Sequence, residues 1–295
     1  MELVFSSITQ GLLWGIMAIG VFITFRILDI ADLTVEGSFP LGGAVCAVLI
    51  CNGVNPLLAT FLAFIAGMAA GAVSGLLHTK MQIPPLLTGI ITLTALYSIN
   101  LKILGKANLT LLKQTTLVSQ FESFGLTKSL AVFCIGGLFV VVVIGLLSLL
   151  MKTELGLALR ATGDNLSMSE ANGIPVQKMK LLGYMISNGL VALSGALLTQ
   201  NNGFADISMG VGTIVIGLAS IILAEVMIKN LSFAKRLVTI IFGAIIYRLI
   251  LVIILEIPGM DAQLVKLASA ILLALILYIP TLEAKNQKAI MKINK

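Results

Sequence analysis

Nine stretches of this chain, near residues 4–25, 33–50, 56–77, 86–104, 130–151, 181–199, 209–228, 237–255 and 264–281, are continuously apolar and lack the every-second-residue alternation of a half-buried strand. No other feature restricts the fold as much, because a helix of about 20 residues rises ~30 Å, the thickness of a bilayer's hydrocarbon core. Apolar residues fill 58% of the 295 positions and charged residues 11%, against roughly 45–50% and about 25% in a soluble domain. A soluble core of this size could not hide that much apolar surface, so the excess faces lipid. The expectation is an all-α polytopic membrane protein of about nine transmembrane helices, a single domain over residues 1–295 with no soluble domain attached. The run at 33–50 is the least regular, because Asp32, Glu36, Gly37 and Pro40 interrupt it. The first run has neither a basic segment before it nor a small-residue cleavage site, and is expected to be retained as the first helix.

Charge orients such a chain. Of the 19 Lys and Arg residues, nine crossings with Met1 outside leave Lys102, Lys106, Lys113, Lys128 and Lys266 on the outer side and Arg248 within a span. The remaining thirteen fall in inner loops and in a basic tail at 282–295, which is the bias that places loops in the cytoplasm. The basic excess therefore reads as membrane orientation and lipid contact, with no nucleic-acid partner. Cys46, Cys51 and Cys134 form no C-x-x-C or Cys/His cluster and read as small apolar fillers.

Gly67, Gly71 and Gly75 recur every fourth residue, and Gly11 with Gly15 does so once, a spacing that allows close helix packing in lipid. A longer self-similarity is more informative. Residues 31–44 (ADLTVEGSFPLGGA) can be laid over 205–218 (ADISMGVGTIVIGL) without a gap, with Gly43 falling on Gly217. In the expected topology the two segments enter their spans from opposite sides, so the pair predicts an inverted repeat containing interrupted helices.

Neither G-x-x-x-x-G-K-[ST] nor G-x-G-x-x-G occurs, and His78 is the lone histidine. The chain offers no nucleotide cradle, metal cluster or nucleophile set, so the expectation is a non-enzyme that binds no cofactor of its own. Energy for transport would come from a partner or from an ion gradient. Residues 152–180 make the longest inner loop, expected as one or two short amphipathic helices punctuated by Gly163, Gly173 and Pro175, and built to dock against a cytoplasmic partner.

The stretch from Glu154 to Pro175, the following Lys178-Met179-Lys180-Leu181-Leu182 and the small-residue run at 192–198 resemble the coupling-loop region of ABC importer permeases of the branched-chain amino-acid and ribose type. The Asp29-to-Gly43 segment is similar to that family's pore-lining second helix, and within the family the chain most resembles aromatic amino-acid permeases. The acidic pair Asp32 and Glu36 departs from branched-chain permeases. The resemblance implies a bacterial inner-membrane permease that works as a dimer, two cytoplasmic ATPases that hold the ATP and Mg, and an external solute-binding lipoprotein. It further implies that Glu154, Gly156, Leu159, Arg160, Ala161, Gly173 and Pro175 form the ATPase contact.

Polar groups inside the spans complete the list of candidates. A mid-bilayer charge costs roughly 2.5–3.5 kcal/mol on insertion scales and needs a partner or water. Arg248 lies twelve residues beyond Arg236, about 18 Å further along a helix. Two readings stay open for it: an ion pair with Asp32, Glu36, Asp206 or Glu256, or a pathway residue that meets an anionic solute group. Asp32 and Glu36 would share a helix face if helix persists there. The translocation candidates are Asp32, Thr34, Glu36, Ser38, Asp206, Ser208, Thr213 and Arg248, with Asn188, Gln200 and Asn201 near the outer mouth. Glu225 and Lys229 read as a structural i,i+4 pair, and Trp14 and the tyrosines form no evident cage. The competing class is an ion-coupled secondary transporter using the same Asp, Glu and Arg residues.

Overall fold

The computed structural model describes residues 2–228, 231–255, 267 and 269–278. The expected basic tail at 282–295, Lys229 and Glu256 lie outside the described residues. The described chain is a helical bundle, the one open architecture besides a closed barrel in which lipid-exposed backbone can satisfy its own N–H and C=O groups. Helix α1 spans Glu2–Phe22 and continues as a π turn at Ile23–Ile27; α2 is Val35–Cys51, α3 Pro56–Thr79 and α4 Pro85–Leu104. A short strand β1 (Asn108–Thr110) and helix α5 (Leu117–Glu122) precede α6 (Lys128–Leu150). Two short helices follow, α7 (Glu154–Asp164) and α8 (Leu166–Ala171), then the long α9 (Val176–Asn202) and strand β2 (Phe204–Asp206). A 3-10 turn (Ile207–Gly210), α10 (Thr213–Met227), α11 (Phe233–Leu255) and the apolar α12 (Ser269–Tyr278) complete the order. Among the described residues, seven helical stretches are long and apolar enough to cross a membrane, with α2 and α12 as shorter apolar helices. β1 and β2 pair antiparallel at the end of the bundle opposite α7 and α8, so the molecule has a hairpin face and an α7–α8 face.

α1 and α9 run through the centre, while α3, α4 and α6 show much of their apolar surface outward. Small residues let these helices touch. The Gly67, Gly71 and Gly75 repeat of α3 lies on α9, where a Cβ on Gly71 would stand 2.3 Å from the Tyr184 carbonyl oxygen. Gly11 and Gly15 of α1 do the same for α11, where added Cβ atoms would meet Ile245 and Ile241 at 2.7 and 2.5 Å. Without a hydrophobic drive between helices in lipid, such backbone approach supplies the packing that holds them together.

α2 and α10 begin part-way through the bundle, and they run in opposite directions. Phe39 of α2 stacks on Trp14 of α1, centroids 5.1 Å apart, and Gly217 of α10 packs against Met17 and Val21. Both starts therefore lie level with the interior of α1. Each is introduced by the same turn: the Thr34 N–H donates to Asp32 Oδ1 at 2.9 Å, and the Ser208 N–H donates to Asp206 Oδ1 at 2.7 Å. The two starts also meet. Pro40 inside α2 has no N–H to return to the Glu36 carbonyl, and Gly210 packs against that carbonyl so closely that a Cβ would fall 1.9 Å from its oxygen. The Glu36 carboxylate in turn accepts the Gly212 N–H at 3.0 Å, just ahead of α10.

Candidate functional site

The translocation candidates divide into three groups. Asp32 is 3% exposed, and its Oδ2 accepts from Asn188 Nδ2 at 2.8 Å. The Ser38 hydroxyl donates to Asn188 Oδ1 at 2.7 Å, and Thr34 Oγ1 donates to Ser74 Oγ at 2.8 Å. These groups form a closed polar seam that ties α2 to α3 and α9. Glu36 and Thr213 belong to the junction of the two short helices, Thr213 Oγ1 donating to the Gly210 carbonyl at 2.8 Å. Asp206 and Ser208 sit at the end of the hairpin, where Asn108 Nδ2 also reaches Asp206 Oδ2 at 3.2 Å. Burial alone would raise the Asp206 carboxyl, but the donors on Ser208 and Asn108 together hold it below the ordinary carboxylate value.

Two expectations about charge are corrected. Asp32 and Glu36 do not share a helix face, because α2 starts after Asp32, and one carboxylate turns to Asn188 while the other turns to Gly212. Among the described residues Arg248 forms no ion pair with Asp32, Glu36 or Asp206, and the fourth expected counter-charge, Glu256, lies outside them; its guanidinium donates to Gln10 Oε1 on α1. Glu225, whose expected partner Lys229 lies outside the described residues, is engaged by another cation. Arg26, in the π turn, grips it with two bonds of 2.7 Å. An ion-coupled transporter needs carboxylates turned toward a water route, and Asp32 and Glu36 are spent on protein donors.

Among the translocation candidates, Arg248 borders a sizeable cavity. This cavity, about 540 Å³, opens toward the hairpin face between α1, α6, α9 and α11. Ser6, Thr9 and Gln10 line it from α1, Lys128 from the first turn of α6, and Asn201 from the end of α9. Trp14, Phe39 and Met209 lie at its deeper end, beside the junction of the short helices. Gly11 and Gly15 are the local cause, since the close α1–α11 approach they permit brings Arg248 alongside Gln10. Ser6, Gln10 and Trp14 stand four residues apart, a polar and aromatic stripe on one face of an otherwise apolar span. That stripe was the signal in the sequence for a lining that reading by charged residues overlooks. Asn188 and Gln200 have other duties. Gln200 bridges α3 and α5, donating to Thr60 Oγ1 at 2.7 Å and accepting the Leu117 N–H at 3.0 Å.

On the opposite face α7 and α8 form the expected pair of short helices. Thr153 and Asn165 cap them, and Gly163 lies inside α7 and does not punctuate it. A Cβ on Gly163 would stand 1.7 Å from the Ile27 carbonyl oxygen, so its bareness lets α7 press onto the π turn. Gly156 and Leu159 are buried against the bundle, and this corrects the expectation that they face a partner. Arg160 is also turned inward, donating to the Met151 carbonyl, with its guanidinium 5.6 Å from the Phe233 ring centroid. Ala161 is half-buried, while Glu154, Gly173 and Pro175 are exposed. The surface α7 does offer includes two residues outside the expected set, Leu155 and Leu157, 51% and 57% exposed.

Comparison with known proteins adds the family. A family model described as "Branched-chain amino acid transport system / permease component" matches residues 3–280. The chain is 40% identical to a tyrosine transport system permease protein of Clostridioides difficile, over 99% of this chain and 97% of that protein. It is 34% identical to an uncharacterized protein of Rickettsia prowazekii, over 97% and 99% of the two chains. It is 26% identical to the ribose import permease protein of Escherichia coli K12, over 82% and 74%. No solved structure matches at a comparable level of significance.

Proposed function

From the premise that this chain belongs to the permease-component family of branched-chain amino acid transport systems, a family of ABC-type importers, we propose that it carries an amino acid across the bacterial inner membrane, with an aromatic one favoured. The chain is a multi-pass membrane permease subunit, and such subunits are non-catalytic. In this reading ATP and Mg are bound by separate ATPase subunits on the α7–α8 face, which is cytoplasmic. A solute-binding lipoprotein delivers to the hairpin face, the N-terminus is external, and the permease works as a homodimer in lipid. The aromatic preference rests on the likeness to the tyrosine permease along nearly the whole of both chains.

The observation that carries the coupling reading is the two-sidedness of α7. One side is locked into the bundle through Gly156, Leu159 and Gly163, while the other leaves Leu155 and Leu157 exposed next to Glu154. Apolar side chains held rigidly at a protein surface mark a docking site. Gly173 and Pro175 extend that surface beyond α8. Movement imposed on α7 would reach Ile27 through Gly163, then α10 through the Arg26–Glu225 pair, and Glu36 of α2 at the far end of α10.

Leu157→Glu tests this directly. The variant is expected to remain monodisperse in detergent but to lose co-purification with the ATPase subunits and ATP-dependent uptake in proteoliposomes. Unchanged assembly and uptake would overturn the assignment.

A further inference from the structure

Resting on the reading of this chain as an amino-acid permease, the geometry points to the cavity between α1, α6, α9 and α11 as a solute vestibule. There Arg248, held by Gln10, receives the solute's carboxylate, and the Trp14–Phe39 stack receives its side chain. Four observations converge. Arg248 and Lys128 both border the cavity, and among the described lining residues there is no carboxylate to balance them. Arg248 Nε is buried with no hydrogen-bond partner among the described residues, so the fork is only partly engaged by Gln10. A planar guanidinium with free donors matches a carboxylate, which can accept two parallel bonds. Lys128 stands in the first turn of α6, where the helix dipole disfavours a cation and where no acidic residue offsets it.

The spacing along α1 fixes which end of the solute goes where. Trp14 lies four residues below Gln10, so its ring stands about 6 Å deeper than the Arg248 site. A carboxylate at Arg248 therefore leaves the side chain of an amino acid over the Trp14 and Phe39 rings, 5.1 Å apart and nearly parallel. Flat apolar groups gain from offset stacking on such a surface. Thr9, Ser6 and Asn201 offer oxygen acceptors near the rim for an ammonium group. A volume of about 540 Å³ is within the range of pockets for small molecules. Beneath the rings lies the junction where Glu36 holds Gly212, so the occupied vestibule sits directly above the contact between the two short helices.

The chain contains a single tryptophan, and it is this one. Trp14 fluorescence in nanodisc-reconstituted permease, excited where tyrosine does not absorb, therefore reports occupancy without any transport step. L-tyrosine is expected to change the emission saturably, whereas L-tyrosinamide, which keeps the ring and loses the carboxylate, binds roughly tenfold to hundredfold more weakly. Arg248→Gln is expected to weaken L-tyrosine by a similar factor and to leave L-tyrosinamide unchanged, while Arg248→Lys restores part of the difference and checks that the fold survives. Equal responses to acid and amide, or an Arg248→Gln variant that binds L-tyrosine as well as the parent, would overturn the assignment. A silent Trp14 alongside intact ATP-dependent uptake of L-tyrosine would overturn the vestibule and leave the permease reading standing. Saturable binding without any ATP-dependent uptake would strike the permease reading and leave the vestibule.

Discussion

The polar seam around Asp32 and the vestibule around Arg248 are both polar regions within an apolar bundle, and they differ in how their hydrogen bonds end. In the seam each donor named finds a protein acceptor, through Asp32, Asn188, Ser38, Thr34 and Ser74. In the vestibule Lys128 and Arg248 face open space, and part of the Arg248 fork is unengaged among the described residues. Buried polar groups in lipid are expensive unless satisfied. A closed network is therefore the signature of architecture, and an open one of a group awaiting a ligand. Charge alone does not separate the two, since Asp32 and Arg248 are both ionisable groups within the bundle.

The largest effect should come from breaking the seam. Asn188→Leu removes the acceptor of Ser38 and a donor to Asp32 in one step, leaving a buried carboxylate short of a partner. The expected loss is about 3–5 kcal/mol, seen as a lower denaturation midpoint in detergent and poor recovery of folded protein. Asp32→Asn in the same background should return part of the loss by removing the charge. A midpoint unchanged by Asn188→Leu would mean that the seam is not structural and that the contrast with the vestibule fails.

Much of the fold could be read from the sequence because bilayer thickness sets helix length, and the apolar runs follow helices α1, α3, α4, α6, α9 and α11 closely. The irregular run at 33–50 proved to be one helix, Val35–Cys51, started late by the Asp32 turn and containing Pro40. Residue charge and family likeness singled out the segments that carry the polar seam and the two helices α7 and α8, and they placed several side chains on a surface where the fold buries them. Gly156 and Leu159 belong to the bundle, because a helix lying on a membrane protein must bury one face, and spacing alone does not say which. Arg248 was visible as a misplaced charge, but its partner Gln10 is 238 residues away, and only tertiary packing brings them together. Trp14 has no aromatic neighbour at helical spacing for the same reason, since its stacking partner Phe39 lies on another helix.

A smaller effect sharpens the comparison from the vestibule side. Lys128→Met removes a cation that the α6 dipole disfavours, so the folded state should gain about 0.3–1 kcal/mol while L-tyrosine uptake at low solute concentration falls. A denaturation series paired with uptake measurements checks both signs. Loss of stability and of uptake together would place Lys128 with the seam, as a structural group.

The smallest effect concerns Asp206, whose carboxylate caps the turn before α10 and stands at the half-buried end of the hairpin. Its carboxyl is held below the ordinary value, so the folded state favours the charged form. The sign follows from linkage: this contribution is fully present above the unfolded-state value near ~3.9 and is lost as pH falls through the lower folded value. Because the group is partly solvated, solvent screening keeps the contribution small, and the turn itself is a better probe than global unfolding. Hydrogen exchange at the Ser208 amide, which donates to Asp206 Oδ1 at 2.7 Å, should lose protection only below the ordinary carboxylate range. Asp206→Asn should remove that dependence while leaving the exchange of the Thr34 amide in the seam unaltered. If the Thr34 amide responds to the same pH step as Ser208, the two turns are coupled through the Glu36–Gly212 contact, and the two short helices move as one unit.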